Sequence, residues 1–217
     1  MNDIDLRTPL SLQSSFRFPL QHAQARRDVV VGGLWLLVPV AGWLMNMGHR
    51  IRMVHNLQHG KSAWPAWQDP LDLLKHGTIT FLGMVYYGTP GVGLAALGLW
   101  QGVGWMVGLG ALLWAGAVVA IPGYMSHYCR AFDPAEIFNP FRALGRVREG
   151  GRAYWHAWSI ALLAMALSFV GVIGLGIGFL FTSVWFWQVA GFSFASVFTQ
   201  RFTLDGDPSA PPAATQH

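Results

Sequence analysis

Charge is what this sequence has least of. Asp, Glu, Lys and Arg together make up 11% of its 217 residues, against about 25% in an ordinary soluble domain. A surface facing water cannot be built from so few charges, so the solvent they imply is lipid. Two stretches, 77–129 and 153–200, carry no charged residue at all. Their emptiness argues against a proton- or ion-coupled transporter, which needs ionisable groups inside its spans. Cysteine is almost missing too. Cys129 stands alone, which excludes an intramolecular disulfide and a paired-cysteine metal site and leaves a small buried residue as its reading. No GxSxG elbow, HExxH pair or phosphate-binding glycine loop occurs, so the sequence shows no enzyme motif. The polar start, with Asp3 and Asp5 and no apolar run before Val29, predicts no cleavable signal peptide.

What is present is apolar and aromatic. Hydrophobic residues make up 53%, with 11 Trp and 14 Phe, the residues that anchor helices at a membrane boundary. The net charge of +4 is gathered into polar blocks at 48–76 and 130–152. That segregation differs from the continuous basic face of a nucleic-acid binder and predicts no nucleic-acid partner. It suits loops held near anionic headgroups, making membrane lipids the first expected partner.

Length then dictates topology. As one helix, 77–129 would run roughly 80 Å, more than twice the ~30 Å hydrocarbon core. It must fold back, near 100–104, into spans at about 77–98 and 102–124, with Pro90 and Pro122 expected to kink them. The same reasoning turns 153–200 near 171–178, into spans 155–172 and 177–199. The first apolar run, 29–47, is barely long enough to cross. It contains Gly32, Gly33, Pro39 and Gly42, so a re-entrant segment is preferred to a kinked crossing. The expected fold is an all-α polytopic membrane protein of two helical hairpins, giving four full spans. A short or re-entrant first segment and amphipathic surface helices accompany them. The tail 1–28 carries an interfacial helix at 19–27 in this reading, and 201–217 is expected to be disordered.

The surface helices are read at 49–59, with Ile51, Val54 and Leu57 as the apolar stripe, and at 135–148. Arg50, Arg52, Arg142, Arg146 and Arg148 would hold lipid headgroups there. Asp69-Pro70-Leu71-Asp72 and Asp133-Pro134-Ala135-Glu136 repeat one pattern: a capping Asp, Pro at the first helical position, then an acid. Because the two basic blocks flank a hairpin, they share a side, which the positive-inside rule makes cytoplasmic. The expected location is a bacterial inner membrane.

The ionisable residues offer little chemistry. His55 and His59 share a helix face at metal-binding spacing, but a solvated face explains them. His76, His127 and His156 each stand near the cytoplasmic end of a span, at one depth, where histidines can ligate haem, chlorophyll or a metal. Polar residues are tolerated at that boundary, so no cofactor is expected. Gly98/Gly102, Gly104/Gly108 and Gly174/Gly178 are small-xxx-small pairs that let helices approach closely.

Several stretches together carry a family likeness: Gly48-His49-Arg50-Ile51-Arg52 closing the first apolar segment, then Ala63-Trp64-Pro65-Ala66-Trp67 and Asp69-Pro70-Leu71-Asp72. Gly77 opens the next span and Tyr86-Tyr87-Gly88-Thr89-Pro90 follows within it. Ala131-Phe132, a glycine-rich turn and an aromatic last span complete the set. Over 29–199 this resembles the prokaryotic membrane proteins grouped as domain-of-unknown-function family 4013. The chain departs from that family in its wealth of Trp and its long N-terminal tail. The resemblance implies architecture and no activity. The expected role is a non-enzymatic accessory, assembly or structural subunit docked to other transmembrane proteins. A cofactor- or pigment-binding subunit of an energy-transducing complex, and a small channel or bilayer-shaping protein, are the alternatives.

Overall fold

The computed structural model describes residues 4–173 and 176–206, with side chains through 199. Among them there are helices and no strand. In order they are α1 (Leu12–Arg17), α2 (Ala23–Trp35), α3 (Ala41–Gln58), α4 (Pro70–Gln101), α5 (Gly104–Ala131), α6 (Ala135–Phe138), α7 (Pro140–Ser168) and α8 (Ile177–Gly206). Short 3₁₀ turns at Phe18–Leu20 and Phe169–Val172 extend α1 and α7.

Four helices are long and apolar enough to cross a membrane: α4, α5, α7 with its 3₁₀ extension, and α8 through Thr199. The chain is an all-α, multi-pass membrane protein. α4 and α5 form one antiparallel hairpin, turning where Gly102 adopts φ 70°. α7 and α8 form the other.

The segment 29–47 reverses direction. α2 ends at Trp35, and α3 begins at Ala41 after Val40 takes the left-handed φ of 62°. The reversal is tight enough that a Cβ on Gly42 would lie 1.7 Å from the Trp35 carbonyl oxygen. Asn46 then staples it, its Nδ2 donating to the carbonyls of Gly32 (3.0 Å) and Gly42 (2.9 Å).

α3 is the principal correction to the sequence reading. Its 49–59 portion was expected to lie on the membrane surface, yet His49, Arg50, Ile51, Met53 and Val54 are buried. Two glycines explain the burial. A Cβ on Gly48 would sit 1.8 Å from the Leu73 carbonyl oxygen, and one on Gly77 would sit 1.9 Å from that of Leu44. These glycines face each other across the α3–α4 crossing and bring the two backbones together. The N-terminal region is likewise no interfacial tail. Phe18 is fully buried and stacks on Phe192 of α8 at 4.4 Å, while the Ser15 and Ser193 hydroxyls are hydrogen-bonded at 3.0 Å.

The expected surface helix at 135–148 is two pieces. α6 stops at Phe138, and Asn139 caps α7 by accepting from the amides of Phe141 (3.1 Å) and Arg142 (3.2 Å). α7 itself breaks at Gly151, whose φ of 53° and ψ of −137° lie outside the helical region. The expected cap at Asp69 is also absent. That residue is left-handed and makes no capping bond; its carboxylate lies 3.8 Å from Arg52 instead. Asp133 does accept from the Ala135 amide at 2.9 Å. The tail expected to be disordered from 201 begins later than that, because α8 continues through Gly206; 207–217 lie outside the described residues.

Candidate functional site

Among the described residues polar side chains gather in clusters between the helices, and an apolar cavity lies beside them. The first cluster was invisible in the sequence, where Asp28 looked like the last residue of a polar tail. Asp28 is 2% exposed. Its Oδ2 accepts from the Ala66 amide (3.0 Å) and lies 3.1 Å from His49 Nε2, while Oδ1 accepts from Gln24 (3.1 Å). Its backbone carbonyl accepts from the Trp67 indole at 3.1 Å. Trp67 stacks on His49 at 4.2 Å. One carboxylate thus ties α2, α3 and the 60–69 loop together. Burial pushes the His49 imidazole below its ordinary value, and Asp28 opposes that push. Both side chains are sealed, so the dyad holds structure and meets no substrate.

The second cluster gathers around Phe132, whose ring lies between His55 (4.2 Å) and His76 (4.1 Å). His76 Nδ1 is 2.6 Å from the Tyr128 hydroxyl, and its Nε2 is 3.4 Å from Asp72. Asp72 is in turn hydrogen-bonded to Arg52. His55 bonds the Cys129 carbonyl at 2.7 Å, so the reading of His55 and His59 as a solvated pair is half right: His59 is exposed and His55 is packed.

The third cluster joins Glu136, Arg142, Arg146 and Glu149. Arg142 and Arg146 approach Glu136 at 3.0 and 3.1 Å, and Arg146 approaches Glu149 at 2.9 Å. His127 lies 3.8 Å from Glu149 and bonds the Gly123 carbonyl at 3.0 Å. His156 is exposed on α7. The three histidines singled out as ligands therefore do not converge. Among the described residues no group of three or more His, Cys, Asp or Glu side chains is arranged to hold a metal.

The five arginines expected at headgroups also separate. Arg52, Arg142 and Arg146 are held by carboxylates, and Arg148 is exposed. Arg50 departs most from expectation, being only 9% exposed within the bundle.

The glycines divide by role. Gly98 packs on α5, where a Cβ would meet Val107 N and Met106 Cβ at 2.8 Å. Gly102 makes the turn. Gly104 and Gly108 face open space, with nothing within 4 Å of an added Cβ. Gly178 packs against Gly171 across the second hairpin, and Gly174 lies outside the described residues. The close contacts thus join facing helices. Gly91 and Gly110 show this best, each pointing at the other's carbonyl oxygen, at 2.8 and 2.6 Å from the added Cβ.

A proline break is repaired across the hairpins. Next to Pro122, the hydroxyl of Tyr154 accepts from the Gly123 amide (3.2 Å) and donates to the Val119 carbonyl (2.5 Å). It stands in for one rung of α5 and locks α5 to α7.

Beyond that contact α5 and the α7–α8 hairpin enclose a cavity of about 430 Å³. Its walls are Trp114, Val118, Met125, Leu162, Met165 and Phe186 among others, and Arg50 is the one charged residue lining it.

Against known proteins, no family model matches this chain, and neither a curated protein nor a solved structure shows significant similarity. The likeness to family 4013 rests on the residues quoted for it.

Proposed function

We propose that this protein is a non-enzymatic membrane subunit whose α4–α5 hairpin docks against another transmembrane protein. The observation that carries this reading is the isolation of that hairpin's outer half. α4 touches α3, α5 and α6 and no other element of the described structure. Beyond Gly83, its buried residues are Gly91 and Gly98 alone, and both are covered by α5. The opposite faces present Trp100 (83% exposed), Trp105 (69%) and Leu112 (71%), interleaved with Gly93, Gly104, Gly108 and Gly116, each with open space where a Cβ would be. Bulky side chains beside bare backbone form ridges and grooves that a partner helix fills by close packing, the main source of helix association in lipid.

The hairpin's turn is uncharged, whereas the opposite end carries Lys61, Arg130, Arg142, Arg146 and Arg148. The positive-inside rule sets that basic end in the cytoplasm of a bacterial inner membrane. The separated histidines give a pigment or haem no common site, so the docking role is preferred to the cofactor-binding one.

A photocrosslinking residue at Gly108, in cells making the intact chain, tests this. Adducts with a second membrane protein, lost when Gly104→Leu blocks the groove, support docking. Adducts with lipid alone, unchanged by Gly104→Leu, contradict it.

A further inference from the structure

Arg50 is the most unusual ionisable group in the molecule. It lies on α3, where its aliphatic stem passes along α8 at Gly191; a Cβ there would be 3.2 Å from Arg50 Cγ. Its guanidinium sits over the Trp187 ring at 4.7 Å and donates to the Met125 sulfur at 3.0 Å. No carboxylate of the described structure pairs with it. The half-buried arginines of the described residues, Arg52 and Arg146, are each held by an acid. A buried cation without an acid carries a desolvation cost that a thioether and an indole ring offset only in part. An ionisable residue facing the interior of a membrane bundle marks a functional position.

The cavity that Arg50 lines has a shape that suits such a position. Arg50 touches α5 at Met125, close to the helix end that carries Arg130. The cavity wall then follows α5 back to Trp114. That path of eleven residues spans about 16 Å at ~1.5 Å per residue, towards the middle of the bilayer. Apart from Arg50 and Ser126 its lining is largely apolar, with Val54, Val118, Ile121, Leu162, Met165 and Phe194 in the wall. At the far end Trp114, Leu162 and Met165 are 50%, 50% and 38% exposed, so the cavity opens sideways between α5 and α7 into the acyl region. A charged end near the polar boundary and an apolar length running to mid-bilayer is the polarity of a lipid in its own leaflet. The volume of about 430 Å³ lies in the range of a single small-ligand site.

We propose that this cavity binds one lipid-soluble anion, an amphiphile whose acidic head pairs with Arg50 and of which one acyl chain lies along α5 towards Trp114. The guanidinium supplies two parallel donors that match a carboxylate or a phosphate. The ligand enters laterally from the bilayer and brings the missing counter-charge with it. The cavity uses α5 only from Trp114 to Cys129, beyond the Gly104 and Gly108 that probe docking, so either reading can fail without the other.

Trp187 stacks on Arg50 and reports on the head-group end of the cavity. The intact protein in neutral detergent is titrated separately with dibromostearate, with phosphatidylglycerol and with phosphatidylcholine, the two phospholipids carrying the same brominated chain. Quenching present in the wild type and missing in Trp187→Phe isolates the cavity. Saturable quenching by dibromostearate identifies a fatty-acid site, and by phosphatidylglycerol an anionic phospholipid site. Either supports the proposal if Arg50→Gln weakens it about 10- to 100-fold, the loss of one charge-assisted pair, while Arg50→Lys retains part of it. Val118→Phe keeps the charge and fills the apolar length, so it is expected to abolish binding even if Arg50→Gln does not fold. Equal quenching by phosphatidylcholine, unchanged quenching in Arg50→Gln, or full binding in Val118→Phe overturns the proposal.

Discussion

α5 and α8 each carry an uncharged stretch of spanning length, yet they live in different surroundings. In the apolar window of α8, 44% of residues are buried; in that of α5, 11% are. α8 is the less apolar of the two. It buries Ser183, Gln188, Ser193 and Ser196 and packs against α1, α2, α3, α5 and α7. α5 turns Leu112, Leu113 and Trp114 outward. The difference teaches that hydropathy in lipid reads inside out. Of this pair the more apolar helix faces acyl chains, and serines that bond back to their own helix mark the one at the centre; α4, no more apolar than α8 but 17% buried, shows that hydropathy alone does not set exposure. Ser193 donates to the Val189 carbonyl at 2.8 Å and Ser196 to that of Phe192 at 2.9 Å, so these hydroxyls are satisfied within their own helix, whereas the buried Gln188 amide has no hydrogen-bond partner among the described residues.

This contrast is sharpest where backbones touch. Gly77→Leu drives a side chain into the Leu44 carbonyl and should cost about 3 kcal/mol or more through forced separation of α3 and α4. Gly104→Leu, on the open face of α5, should leave the melting temperature in detergent unchanged. A similar loss in both variants would erase the distinction between core and lipid-facing helices. Asp28→Ala removes the acceptor shared by Gln24, His49 and Ala66. It should destabilise by about 3–5 kcal/mol, as breaking a buried pair does, measured by thermal unfolding.

Tyr154→Phe sharpens the comparison between α5 and its neighbours. It strands the Gly123 amide and the Val119 carbonyl at the proline break, a cost of about 1–3 kcal/mol. Retention of wild-type stability would mean that water replaces the hydroxyl. The smallest effect is pH-dependent. Burial holds the folded-state value of His49 below the ordinary 6.5 of an exposed imidazole, so the unfolded chain binds the proton first. Stability from this residue is therefore fully present above about 6.5 and declines as pH falls from there towards the depressed folded value. The melting temperature should drop over that window in the wild type. In His49→Gln the same step should be missing.

The hairpins and their turn were legible in the sequence because lipid imposes a length on any uncharged run: 77–129 is too long to cross once. Gly98 and Gly178 as packing positions were legible for the same reason that Gly104 and Gly108 misled. A glycine pair records that close approach is possible and not which surface arrives. α3 was misread because arginine and histidine at 49–52 resemble a solvated stripe. Burial of that helix depends on partners far away in sequence: Asp28, the Leu73 carbonyl met by Gly48, and Gly191. Arg50 was assigned to headgroups from its type alone. Its stacking on Trp187 joins residues distant in the chain, and no local spacing encodes that contact.

The central claim is a two-hairpin membrane architecture whose basic ends share one face. In a Cys129→Ser background, single cysteines introduced as Lys61→Cys, Gln101→Cys and Arg148→Cys are labelled in sealed vesicles with a membrane-impermeant maleimide. The architecture predicts that positions 61 and 148 react from the same side and position 101 from the opposite one. Labelling of 61 and 148 from opposite sides, or of all three from one side, would contradict it.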